Sequence, residues 1–228
     1  MQKRVVITGG NKGIGLELTK KFLALKYSVV VIARDFQEFI YRDSVECITF
    51  DLTRVESIAK LVESIGPIDI LINNAGVMYA VAFDAYTIVQ KETILKLNLE
   101  APIELIKEFS KLMPEGSRIV NNASIAGEIG HPDIWYGMTK AGLINATKSF
   151  SKIFDSHIIV NAVAPSPTDT DMLEIIPKPR RDAFLEQTIT KRFATAEEVA
   201  KTIFWLATES PVYINGSCLD INNGSYMR

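Results

Sequence analysis

Tyr136 and Lys140, in Tyr136-Gly137-Met138-Thr139-Lys140, stand at an i, i+4 spacing that on a helix brings a phenol and an ammonium to one face. A phenol titrates near about pH 10 and is a poor acid–base group at neutrality. A neighbouring cation favours the phenolate and draws its pKa towards the working range, so the pair predicts proton transfer to or from an oxygen. Taken alone, the same spacing equally describes an ordinary surface pair. Ser124, just after the apolar run Ile119-Val120, offers a hydroxyl that would hold a substrate oxygen beside the phenol, or cap a turn. Asn98 interrupts the apolar stretch Lys96-Leu97-Asn98-Leu99. A buried amide there demands partners: it either serves structure alone or kinks the helix so that a freed carbonyl holds water near Lys140.

A second set of residues suits phosphate. Thr8-Gly9-Gly10-Asn11-Lys12-Gly13-Ile14-Gly15 follows the β-branched run Val5-Val6-Ile7 and leads into helical periodicity. Gly9, Gly13 and Gly15 permit positive φ and close backbone approach, so this turn, with Asn11, Lys12 and Ile14, would receive a pyrophosphate at a helix N-terminus. The T-G-x-x-x-G-x-G spacing also fits a plain tight turn; its place after the first strand favours the dinucleotide reading. Arg34 follows the next apolar run, Val29 to Ile32, where an adenosine ribose would lie. Ala33 occupies the place of a ribose-binding carboxylate, and Lys12 with Arg34 suits a 2′-phosphate, although Asp35 competes. The expected cofactor is NADP(H) in preference to NAD(H).

The elements that must position these groups are legible as an alternation. Short apolar runs at 5–7, 29–32, 47–50, 68–72, 118–120, 157–163 and 218–221 are separated by amphipathic stretches, including helices expected from Ile14 to Leu25, up to about Lys111, and from near Tyr136 to about Phe154. Thr53-Arg54-Val55-Glu56 and Thr195-Ala196-Glu197-Glu198 read as capping boxes that open further helices. Runs buried on both faces and separated by helices describe a doubly wound α/β fold, a parallel sheet of about seven strands with helices on both faces. Residues 1–228 show no linker or repeat and are expected to form a single domain. The stretch Asp171 to Arg192, with Pro177 and Pro179, reads as a mobile loop or lid.

A formal charge of -2 gives no reason to expect nucleic acid or an acidic membrane as partner. Cys47 and Cys218 lack metal-ligand spacing, so no metal is expected, and two free thiols suit a reducing compartment. With no apolar stretch of membrane-spanning length, a cytoplasmic protein is expected.

The glycine turn, Asn73-Asn74-Ala75-Gly76, Asn98, Ser124, Tyr136 and Lys140, in this order over nearly the whole chain, resemble the short-chain dehydrogenase/reductase family. Asp51-Leu52 resembles that family's pair beside the adenine, and Asn74, Ala75 and Gly76 its motif beside the adenosine ribose. Val160 to Pro165 resembles the strand leading to the nicotinamide, with Thr168 and Thr170 beyond it and Thr170 in place of the Thr that holds the carboxamide. The C-terminal portion looks like the 3-oxoacyl-carrier-protein reductases, whereas the turn and Ala33-Arg34-Asp35 look like NADPH-dependent carbonyl reductases. Three departures stand out: Ser166 in place of the usual Gly, a short connection between Arg34 and Phe50 that implies a missing helix, and a slightly short Ser–Tyr spacing.

The resemblance implies a hydride moving between the nicotinamide and a carbonyl or alcohol carbon of a small molecule. Ser124 and Tyr136 would hold the oxygen, Tyr136 would give the proton, Lys140 would bind the ribose and lower the Tyr pKa, and Asn98 would support a water relay. Val77, Met78, Ile125, Trp135, Pro167, Met172 and Leu173 would line an apolar substrate pocket. A non-catalytic NADP(H)-binding sensor or scaffold is the alternative on the same fold. An acidic carrier protein meeting Lys178, Arg180 and Arg181 is a further one. A homodimer or homotetramer is expected through the helix at 101–113, whose apolar residues exceed one sheet-facing stripe, and the helix after Tyr136.

Overall fold

The computed structural model describes residues 2–227. Its strands are β1 (Arg4–Thr8), β2 (Ser28–Ala33), β3 (Glu46–Thr49), β4 (Ile70–Asn73), β5 (Ser117–Asn122), β6 (Ile158–Pro165) and β9 (Cys218–Ile221), with a small pair β7 (Thr168–Asp169) and β8 (Ala194–Thr195) apart. The main sheet has seven strands in the order β3-β2-β1-β4-β5-β6-β9, every neighbouring pair parallel. The order reverses between β1 and β4, which opens a crevice at the carboxyl ends of the strands where such sheets take ligands.

Side chains of period two divide β1 between two cores. Val5 and Ile7 face α1 (Gly13–Ala24) and α8 (Ala196–Thr208), meeting Leu18, Phe22, Val199 and Ile203. Val6 faces α2 (Ile58–Ile65) and α4 (Ala101–Phe109), meeting Leu61, Val62, Leu105 and Phe109. Covered on both sides, β6 is buried at every position, which is why it reads as an apolar run broken only by Asn161, whose side chain bonds Ile214 and Ser217. Leu105, Ile106 and Phe109 are therefore spent on the sheet, and the surplus apolar surface expected of this helix shrinks to half-buried Ile103 and exposed Leu112.

Local expectations fared unevenly. Thr195 forms its capping box with Glu198, through bonds of 3.2 and 2.8 Å. The box at Thr53 does not form: the Asp51 carboxylate takes both the Thr53 amide and hydroxyl, at 3.0 and 2.8 Å, and α2 starts only at Ile58. The segment 171–192 is not a loop but carries α6 (Asp171–Glu174) and α7 (Lys178–Gln187), because Pro177 and Pro179 fall before and within a first helical turn, where proline is tolerated. Between β2 and β3 only a short turn at Arg42–Ser44 stands in place of a helix, as the short connection implied. Cys47 and Cys218 form no disulfide. Among the described residues no helix is long and apolar enough to cross a membrane.

Candidate active site

The glycine turn is fixed by the strand beside it. Thr8 Oγ1, at the end of β1, donates to the Ile72 carbonyl at 3.3 Å and accepts from the Asn74 and Ala75 amides at 2.9 and 3.0 Å. That uses a hydroxyl's one donor and both lone pairs. Asn74 Nδ2 returns bonds to the carbonyls of Thr8 and Gly9 at 3.0 and 3.3 Å. Gly9 and Gly13 have φ of 64° and 51°. A Cβ on Gly15 would lie 2.0 Å from the Gly9 carbonyl oxygen, so the turn closes only around a glycine. Thr170 reaches the same turn from the far end of the chain, its Cγ2 lying 3.3 Å from where a Gly13 side chain would begin.

These features fit a dinucleotide. The first turn of α1 holds no acidic residue, and its free amides favour an anion. Arg34 borders a cavity of about 410 Å³ with Asp35, Phe36, Arg42, Cys47 and Thr49. The Thr53 amide, with smaller help from Arg34, holds the Asp51 carboxyl below its usual range. Asn11 Nδ2 ties the turn to the Asp35 carbonyl at 3.1 Å. Two expected contacts are otherwise engaged: exposed Lys12 pairs with Asp171 at 3.1 Å, and Leu52 is buried in the core, leaving only its backbone for a ligand. Ile14 packs on the core formed by α1 and α8. Thr168 donates to the Ser166 carbonyl, and Ser166 itself, bonded through its amide to Ile221, avoids positive φ and needs no glycine.

Across the crevice, α5 (Ile134–Ile153) carries Tyr136 and Lys140 on its buried face. Ser124 lies close enough to the Tyr136 hydroxyl to favour the phenolate. Ser124 Oγ also accepts from the Ala126 amide at 3.2 Å and lies 3.4 Å from the Pro165 carbonyl, so it both caps a turn and meets the phenol. Lys140 Nζ donates to the Asn122 carbonyl at 2.7 Å and lies 5.7 Å from the centre of the Tyr136 ring. Burial lowers Lys140 to about 8. In the protein without cofactor, burial raises Tyr136, and Ser124 only partly offsets that.

Asn98 lies in a widened π-type turn, Lys96–Glu100, between α3 (Ile88–Leu95) and α4. Its side chain holds both the amide and the carbonyl of Val77, each at 2.8 Å, and donates to Thr139 at 3.3 Å. A side chain on Gly76 would begin 3.3 Å from Asn98 Oδ1 and 3.6 Å from Lys140 Nζ, so the three residues enclose one small space.

Several participants escaped the sequence reading. Asp133 is fully buried at the start of α5 and accepts from the Tyr86 hydroxyl at 2.5 Å, the Ala80 amide at 3.0 Å and the Tyr136 amide at 3.1 Å. It thereby clasps the loop after β4 to the helix turn that bears Tyr136. An Asp three residues ahead of the Tyr was the available signal. Asn122 bridges the halves, bonding Asn74 at 3.0 Å and Lys140 through its carbonyl, while its buried Oδ1 has no partner. Of the expected pocket residues, Val77, Met78, Trp135 and Met172 cluster with Tyr136; Ile125, Pro167 and Leu173 lie outside that cluster.

Residues 9–225 match the family model described as "Enoyl-(Acyl carrier protein) reductase". A 3-oxoacyl-[acyl-carrier-protein] reductase of Aquifex aeolicus is 32% identical over 97% of this chain and 96% of its own length. An acetoacetyl-CoA reductase of an Acinetobacter species is 29% identical over 99% and 98%. Among solved structures, a short chain dehydrogenase from Burkholderia cenocepacia in complex with NADP superposes with a TM-score of 0.88 at 28% identity, covering 98% of this chain and 97% of that one. Fold, motif order and full-length similarity agree: the chain belongs to the short-chain dehydrogenase/reductase family of oxidoreductases.

Proposed function

We propose that this protein reduces the carbonyl group of a small molecule using NADPH, with Tyr136 as the proton donor. The observation that carries this reading is the buried Tyr136–Ser124 hydroxyl pair, backed by Lys140 at the carboxyl end of β5 beside the glycine turn. A reduced nicotinamide, when bound, supplies the hydride. Ser124 and Tyr136 orient the carbonyl oxygen, and Tyr136 gives its proton as charge develops there. Lys140 steadies the phenolate left behind, and Asn98 supports the water relay that restores the proton. General acid catalysis of this kind contributes about a hundred- to ten-thousandfold.

Gly9, Gly13 and Gly15 would admit the pyrophosphate, Asp51 and the Asn74–Gly76 segment the adenosine, and Pro165 to Thr170 the carboxamide. Arg34 would meet the 2′-phosphate, joined by Lys12 once it leaves Asp171. Two relatives that act on acyl-carrier and coenzyme A thioesters, by their names, support a carbonyl substrate. Assembly as a homodimer or homotetramer belongs to the same reading, with exposed Ile88, Val89 and Met138 on α3 and α5 as apolar surface.

The test is NADPH oxidation with a panel of ketones, diketones and quinones, joined to calorimetric titration of both cofactors. Turnover is expected, with NADPH bound more tightly than NADH by about 1.5–3 kcal/mol, most of it erased by Arg34→Ala. Binding with no turnover of any carbonyl would favour a sensor; equal affinities would remove the 2′-phosphate assignment.

A further inference from the structure

The mouth of the site holds a cation that the mechanism above does not use. Arg180, in the first turn of α7, is half-buried and directs Nη2 to His131 Nε2 at 3.4 Å. A guanidinium only donates, so Nε2 faces it as the acceptor, while Nδ1 lies 3.2 Å from both the amide and the carbonyl of Asp133. Burial, opposed by that carbonyl and reinforced by the charge of Arg180, holds His131 below its usual range and keeps the ring neutral. The ring itself leans on Tyr136, with centroids 5.6 Å apart. Guanidinium, imidazole and phenol thus form a short chain of contacts that ends on the proposed proton donor.

Arg180 also lacks a counter-charge. Lys178, two residues earlier, is paired with Asp182 at 2.6 Å, whereas Arg180 pairs with no carboxylate among the described residues. The nearest buried acid, Asp133, already serves three donors. Half-burying a cation against a neutral imidazole leaves its desolvation poorly compensated, and a planar carboxylate is the complement that would satisfy it through paired bonds. Tyr136, on which the imidazole leans, sits in an apolar cluster with Tyr79, Trp135, Met172 and Ile176.

Resting on the reductase reading, we infer that the substrate is a carbonyl compound that also bears a carboxylate, which Arg180 receives across His131 while the carbonyl meets Tyr136 and Ser124. The substrate is then apolar only along its middle. Arg180 reads a small acid here, and not an acidic carrier protein, because its guanidinium is turned inward to His131.

The experiment compares linear keto acids of graded length with their methyl esters, using NADPH and purified protein. One keto acid should exceed its ester in kcat/KM by about tenfold to a hundredfold, the worth of a charge-assisted pair. Arg180→Gln should collapse that ratio, chiefly by raising KM for the acid, and Arg180→Lys should recover part of it. Lys178→Gln should leave the ratio unchanged. Esters turned over as fast as acids at every length, or an acid preference that survives Arg180→Gln, would overturn the inference while leaving the reductase intact. An Arg180 effect confined to carrier-bound thioesters would also overturn it. No turnover of any acid or ester, with NADPH still bound, would instead sink the reductase reading and this inference together.

Discussion

The two sides of the crevice are held by different means. On the nucleotide side, the turn after β1 depends on backbone: glycines at positive φ, the missing Gly15 side chain, amides held by Thr8 and carbonyls held by Asn74. On the substrate side, Ser124, Tyr136, Lys140, Asn98 and Asp133 are buried side chains, and all but the Tyr136 phenol make their own bonds to neighbouring groups. A backbone site binds what every dinucleotide shares and tolerates almost no added atom. A side-chain network can be weakened one bond at a time, so its failures should be graded and separable by kinetics.

The sharpest break in that contrast is Gly15→Ala. With a methyl placed 2.0 Å from a carbonyl oxygen, the turn must move. The cost should reach about 3 kcal/mol or more, and dinucleotide binding should be lost with it. Thermal unfolding and calorimetry check both, and an unchanged melting temperature would show that the turn is not held as described.

Asp133→Asn should do less, and differently. The amide keeps the shape but leaves one of the three buried donors without an acceptor, a cost of about 1–3 kcal/mol. Because the Asp133 charge helps to raise Tyr136, its removal should lower the phenol, moving the basic limb of the kcat profile to lower pH. NADPH binding should hold. A loss of stability with no movement of that limb would reduce Asp133 to a scaffold residue.

What the sequence disclosed follows from range. The glycine turn, the parallel strands and the odd polar residue Asn98 announce themselves within a few neighbours, because period and residue type carry the signal. Asp133 did not, since its partners Ala80 and Tyr86 lie far back along the chain and on a loop without periodicity. The box at Thr53 failed because Asp51 competed for the same donors. The burial that raises Tyr136 in the protein alone is likewise invisible in the sequence, whereas the nearby Lys is not. Arg180 was visible as one charge in a basic run; only the fold separates it from Lys178 by turning it to His131.

The central claim is that Tyr136 gives the proton, and Tyr136→Phe tests it most directly. The change deletes one hydroxyl and keeps the ring, so folding and NADPH titration should be nearly unaltered. With a verified carbonyl substrate, kcat should fall by at least about a hundredfold. A variant that binds NADPH and turns that substrate over at the normal rate would contradict the account.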